Sequence, residues 1–229
     1  MLTLLLAESE LELIPQKLTG HPSVVAAAKR TGKKASDMLL DASLHHSALN
    51  NFPDGQRRGR PDMVHFFLVT CLESILNKHG GLRVMIHTRN DELITVNPET
   101  RIPRGYSRFA GLIEQLFKNG AVPKEEPLMQ IEKGVTAERA LARALADTTI
   151  AFSPKAKQTR LADLFSKMAT EEGFADKNVC CVIGGFPSGD FHSSVDSLCD
   201  KSISIHPDML TIWTVAAEIV VNYENAVFV

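Results

Sequence analysis

Two stretches, TTIAF (148–152) and NVCCVIGG (178–185), contain no charged side chain and no apolar–polar alternation. A strand with one wet face alternates, so strands like these need cover on both faces, as in a parallel sheet between helices. Their surroundings have the matching rhythm. PLMQIEKG, TAERALARALAD, TTIAFSP, QTRLADLFSKMATEEG and KNVCCVIGGF alternate strand and helix, and PDMLTIWTVAAEIVVNYE reads as a long closing helix opened by Pro207 and Asp208. Within NVCCVIGG, period-two alternation sends Cys180 and Cys181 to opposite faces. The expected class is α/β with a mostly parallel sheet flanked by helices.

The first half follows the same logic less regularly. LTLLLAES and DMLLDAS read as strands, separated by a helix over HPSVVAAAKRTG, where Pro22 suits the first turn and Gly32 the stop. PDMVHFFLVTCLESILNKHGG is apolar on most of its circumference and reads as one buried helix. LRVMIHT is a strand, and DELITVNPETRIP a hairpin arm running into an arginine-bearing loop. GYSRFAGLIEQLFKNG is a helix with Phe109, Leu112, Ile113, Leu116 and Phe117 on one face.

No Pro/Gly/Ser-rich linker divides the 229 residues, which are 44% hydrophobic and 23% charged, so one domain over 1–229 is expected. No stretch approaches the ~20 apolar residues that span a bilayer, and the run Met1 to Ala7 is too short for a signal sequence. The four cysteines have no C-x-x-C spacing and read as free thiols in a reducing, cytoplasmic setting. No histidine pair, nucleophile elbow or helical carboxylate pair supports a hydrolase or a metal site.

Charge placement carries the functional signal. Eight of the twelve arginines lie between Arg57 and Arg108, although the formal net charge is only −2. A guanidinium is permanently charged and forks onto phosphate oxygens and base edges, so the concentration suggests one surface for a polyanion. In Arg57-Arg58-Gly59-Arg60-Pro61-Asp62, Asp62 either holds Arg60 by a charge-assisted pair or complements the helix dipole beside a solvated turn. In RIPRGYSRF, Arg104 and Arg108 share a face one turn apart, Arg101 precedes them in the loop, and the competing reading is a solvated helix entrance. Two such clusters flanking one strand favour anion binding. Glycines after NVCCVI, in Gly184-Gly185-Phe186-Pro187-Ser188-Gly189, let a backbone approach a ligand. Their spacing is neither a dinucleotide fingerprint nor a P-loop, and Asp190 would repel a triphosphate. S-adenosylmethionine, which has no phosphate, suits such a turn, and an ordinary strand-to-helix turn explains the same residues as readily.

RRGRPDMVHFFLVTCLESIL, LRVMIHTRNDELITVNPETRIPRGYSRFAGLIEQLF and VIGGFPSGDF together resemble the family known as nucleolar essential protein one, or essential for mitotic growth one. The match is most specific in R-x-G-R-P-D and R-x-P-R-x-x-x-R-F-x-G-L, and the compact chain resembles archaeal members. The resemblance implies a SPOUT-type α/β knot with a C-terminal trefoil and a family-specific insertion around 84–105. It implies a homodimer that uses S-adenosylmethionine to methylate nitrogen-1 of a pseudouridine in small-subunit (16S-type) ribosomal RNA, in small-subunit biogenesis. The alternative is a non-catalytic RNA-binding assembly factor. By matching motif positions, Arg60, Arg101, Arg104 and Arg108 hold RNA, with Asp62 orienting Arg60 rather than acting as the base. The cofactor is expected among Ile150, Phe152, Gly184, Gly189, Ser202, Ile203, Ser204, Ile205, His206 and Pro207. FSPKAKQTR departs from the family pattern, and the helix around Trp213 offers a face for a partner copy.

Overall fold

A computed structural model describes residues 1–228. Its centre is one mixed eight-stranded sheet, ordered β4-β5-β3-β2-β1-β7-β6-β8. The strands are β1 (Leu2–Ser9), β2 (Leu82–Thr88), β3 (Glu92–Val96), β4 (Ala121–Val122), β5 (Met129–Lys133), β6 (Thr148–Gln158), β7 (Val179–Gly184) and β8 (Lys201–Ser204). From β2 to β8 every neighbouring pair is parallel, and the β3, β5 and β4 extension is antiparallel.

The helices are α1 (Pro22–Thr31), α2 (Ala42–Leu49), α3 (Pro61–Leu72), α4 (Ile75–Lys78), α5 (Tyr106–Asn119), α6 (Ala137–Arg143), α7 (Leu161–Ala169) and α8 (Ile212–Val227). Leu2, Leu4 and Leu6 of β1 face one way, into a core with α3, α5, α7 and α8. Leu5 and Ala7 face the other way, against α6. Cys180 and Cys181 divide between those two cores as alternation requires. A third apolar cluster joins α1 and α2.

Three sequence expectations change. DMLLDAS is not a strand: Leu39 makes one isolated bridge to Leu13, and α2 begins at Ala42. The cause is Asp41, whose carboxylate accepts from the Ser43 amide at 2.8 Å and caps a helix there. The helix expected over 61–81 is two. Ser74 donates to the Cys71 carbonyl and accepts from the Asn77 amide, ending one helix and capping the next. The last helix starts after Thr211 rather than at Pro207, because Ser204 Oγ donates to the His206 carbonyl and the Asp208 amide to His206 Nδ1. That turn keeps residues 205–211 out of the helix, where Ile205, His206 and Asp208 to Thr211 wall a cavity.

Candidate active site

The carboxyl ends of β6, β7 and β8 lie side by side because the strands are parallel, and loops leaving such ends are where open α/β sheets bind ligands. Here they enclose a cavity of about 370 Å³, in the usual range for a small ligand. Phe152, Ser153 and Pro154 come from β6, Gly184, Phe186 and Gly189 to Phe191 from the end of β7 and its turn, Ile203 to His206 from β8 and its exit, Asp208 to Trp213 from the approach to α8, and Arg60 and Met63 from the start of α3. Beyond Phe152, β6 bulges: Phe152 and Lys157 both register with Ile203. The intervening residues overhang the mouth, where Lys155 pairs with Asp190 at 2.6 Å. FSPKAKQTR, the stretch that departs from the family pattern, is this overhang.

The wall is chiefly apolar, with the carboxylates of Asp190, Asp196 and Asp208 among it. Arg60 is its single arginine or lysine, and the Arg60 fork is closed by Asp62: Nε donates to Oδ1 at 2.9 Å and Nη2 to Oδ2 at 2.7 Å. The hydrogen bonds that Arg60 donates to Asp62 raise the arginine's pKa above its ordinary value. A wall without a free cation disfavours phosphate and fits an adenosyl group carrying positive charge. Gly184 is pressed by the Phe186 ring, which a Cβ would meet at 2.6 Å. Gly189 needs its glycine for another reason, a φ of +87°.

Among the residues expected at the cofactor, Phe152, Gly184, Gly189, Ile203, Ser204, Ile205 and His206 line the cavity, whereas Ile150, Ser202 and Pro207 do not. Ile150 is fully buried within β6 in the core. Leu210, in the turn before α8, and Trp213, in its first turn, also line the wall, and the sequence reading does not single them out for the cofactor.

The arginine cluster divides sharply. Arg57 is buried, donating through Nε to Glu10 at 2.7 Å, through Nη2 to Glu8 at 3.0 Å and through Nη1 to the Asp190 carbonyl at 2.7 Å. Arg58 forks onto Glu12, and Arg89 bridges Glu10 and Asp54. Arg83 donates to the carbonyls of Arg143 and Ala144 at the end of α6. These four hold the fold and are not free for an anion. The signal for three of them was the run Glu8-Ser9-Glu10-Leu11-Glu12, whose alternate glutamates sit at the end of β1.

Arg101, Arg104 and Arg108 are exposed, and among the described residues none has a carboxylate within salt-bridge distance. Their loop joins the cavity side through α3, where His65, one turn beyond Asp62, hydrogen-bonds the Pro103 carbonyl at 2.7 Å. Tyr106, at the first position of α5, donates its hydroxyl to Asp41. Burial, and then that carboxylate, push the tyrosine pKa above its ordinary value.

These features define an α/β enzyme with a pocket for a phosphate-free, adenosyl-type ligand beside a surface of unpaired guanidiniums. A family profile described as "EMG1/NEP1 methyltransferase" matches residues 4–224. A "Ribosomal RNA small subunit methyltransferase Nep1" from Methanothrix thermoacetophila is 47% identical, covering 99% of this chain and 97% of its own. Its namesake from Thermococcus kodakarensis is 44% identical, covering 99% of each. The crystal structure of Archaeoglobus fulgidus Nep1 bound to S-adenosylhomocysteine superposes with a TM-score of 0.83 at 33% identity, over 98% of this chain and 97% of that one. The chain belongs to the EMG1/NEP1 methyltransferase family.

Proposed function

We propose that this protein transfers the methyl group of S-adenosylmethionine to small-subunit ribosomal RNA, at nitrogen-1 of a pseudouridine. The observation that carries the reading is the position of Arg60: it lines the adenosyl-type cavity and belongs to the helix on which the Arg101–Arg104 loop is anchored. The Archaeoglobus relative's bound S-adenosylhomocysteine is the demethylated form of the proposed donor. The names of the relatives supply the RNA class.

Phe152, Gly184, Gly189 and Ile203 to His206 would hold the cofactor, which supplies a methyl group already activated on a sulfonium. The chain's own task is to position the reacting atoms and exclude water. Arg101, Arg104 and Arg108 grip the RNA backbone around a splayed-out base. Arg60, oriented by Asp62, stabilises negative charge that develops on the ring as its nitrogen loses a proton. Both Asp62 oxygens already accept from Arg60, so an orienting role fits them better than that of a base.

The finer architecture belongs to the same reading. The chain is one domain whose C-terminal segment forms a trefoil knot, with 84–105 in the family-specific insertion, and it works in the cytoplasm as a homodimer. The dimer face runs along α3 and α8, where half-exposed Phe66 packs 5.0 Å from Trp213 and Val221 is also uncovered. None of the described helices is long and apolar enough to cross a membrane.

The test is incubation with methyl-labelled S-adenosylmethionine and a small-subunit RNA fragment carrying either pseudouridine or uridine at one loop position. Mass spectrometry should find label only in the pseudouridine RNA. RNA that binds but stays unlabelled in both forms would leave the assembly-factor alternative in its place.

A further inference from the structure

We infer that His65 is a positioning residue: it fixes the Arg101–Arg104 loop against α3 and so sets the spacing between those guanidiniums and Arg60. The inference rests on the RNA-binding reading given above. Upstream, the loop is tied at Thr100, whose hydroxyl donates to the Leu128 carbonyl at 3.0 Å, and at Pro98, whose carbonyl accepts from Asn77. Downstream, Gly105 begins α5. Between them, among the described residues, Arg101 to Arg104 make one hydrogen bond to the rest of the chain, from His65 Nε2 to the Pro103 carbonyl at 2.7 Å. A carbonyl only accepts, so Nε2 carries the proton.

The ring is held for that purpose. His65 is 4% exposed and stacks on Phe109, with ring centroids 4.4 Å apart and planes 21° from parallel. Phe109 is itself fully buried on α5, so the imidazole touches both the loop and the helix that carries Arg108. On the other side, Asp62 lies three residues back on α3, about one turn. One side chain thus joins the two arginine-bearing segments. Remote displacement of a gripping group by about 1 Å can cost on the order of a hundredfold in rate, so the tether has leverage although it need not touch RNA.

Two replacements of the full chain separate tethering from packing. His65→Phe keeps a stacking ring and loses the donor, and His65→Gln restores an amide donor without the ring. RNA affinity for H65F should fall roughly tenfold, with KM for RNA raised more than kcat is lowered, while S-adenosylhomocysteine binds as before. H65Q should recover most of the loss. In an R101A/R104A background, H65F should add little, because the tether acts through the arginines it positions.

Unchanged RNA affinity in H65F, equal loss of RNA and S-adenosylhomocysteine binding, or full additivity with R101A/R104A would each overturn the inference. If R101A/R104A alone left RNA binding intact, the RNA reading itself would fail, and that result is seen without any His65 variant. Should H65F not fold, imidazole ¹⁵N shifts of the unaltered protein decide. A ring with its proton on Nε2 supports the tether, and a neutral ring protonated on Nδ1 alone, with Nε2 bare, overturns it.

Discussion

Arg57 lays its guanidinium 3.7 Å from the centre of the Phe186 ring. The same group bonds Glu8, Glu10 and the Asp190 carbonyl, so it ties the end of β1 to the turn that walls the cofactor cavity. The first arginine of a conspicuously basic stretch therefore serves the cofactor side of the molecule.

Arg57→Ala should cost about 3–5 kcal/mol of stability, the usual result of removing one partner from a buried ionic network. Urea unfolding measures it. Affinity for S-adenosylhomocysteine should fall as well, and Arg57→Lys should rescue little, since a lysine cannot fork onto two glutamates while covering a ring. A variant with the parent's unfolding midpoint would contradict the assignment.

Asp62→Asn keeps one oxygen acceptor for Arg60, and Asp62→Ala keeps none. If the carboxylate orients Arg60, the asparagine variant retains measurable methyl transfer with a raised KM for RNA, and the alanine variant is weaker still. Equal abolition of kcat in both variants, with RNA binding intact, would instead make Asp62 the base.

On the outer face of α3 and α8, Phe66→Glu or Val221→Glu places a charge where a partner copy is proposed to pack. Light scattering should show a halved mass for each variant. A parent protein that is already monomeric at micromolar concentration would remove the dimer reading.

Acid should lower the stability of the protein over two separate pH ranges. Burial holds the His87 pKa below its ordinary value, and its Nδ1 accepts from the Glu8 amide at 3.2 Å. The unfolded chain takes up that proton near pH 6.5, so stability falls as pH drops below this point. Glu8 contributes lower down. Burial raises its pKa, but hydrogen bonds from His192 and Ser193, and then the Arg57 charge, bring it below the ordinary value. Its contribution is present above about pH 4.5 and is lost as pH falls through the folded value. Unfolding midpoints between pH 7 and 3 should show both limbs. His87→Asn should flatten part of the first, the remainder coming from His45, whose pKa burial also lowers.

Periodicity revealed most of the framework because burial on two faces leaves a plain trace: NVCCVIGG and LTLLLAES are strands as read. It failed where one side chain outweighs pattern. DMLLDAS looks extended until Asp41 is seen capping α2, and PDMLTIW looks helical until Ser204 and His206 turn the chain. At the site, the arginine-rich stretch was visible, but which guanidiniums are free was not. That depended on Glu8, Glu10 and Glu12, dozens of residues away in the chain and adjacent only after folding. The tether from His65 to Pro103 was equally hidden, since a carbonyl has no sequence signature.

β1 precedes both of its sheet neighbours in the chain by a long interval: it lies between β2 and β7, with Leu2 registered to both Leu82 and Val179. At ~5–20 residues per second, a ribosome needs roughly ten seconds or more to deliver the second of those neighbours after the first leucines appear. Throughout that interval LTLLLAES offers an unpaired apolar edge to whatever is near. Of the segments made before β7, α3 is one that shares a core with Leu2, Leu4 and Leu6 and so can cover that face early.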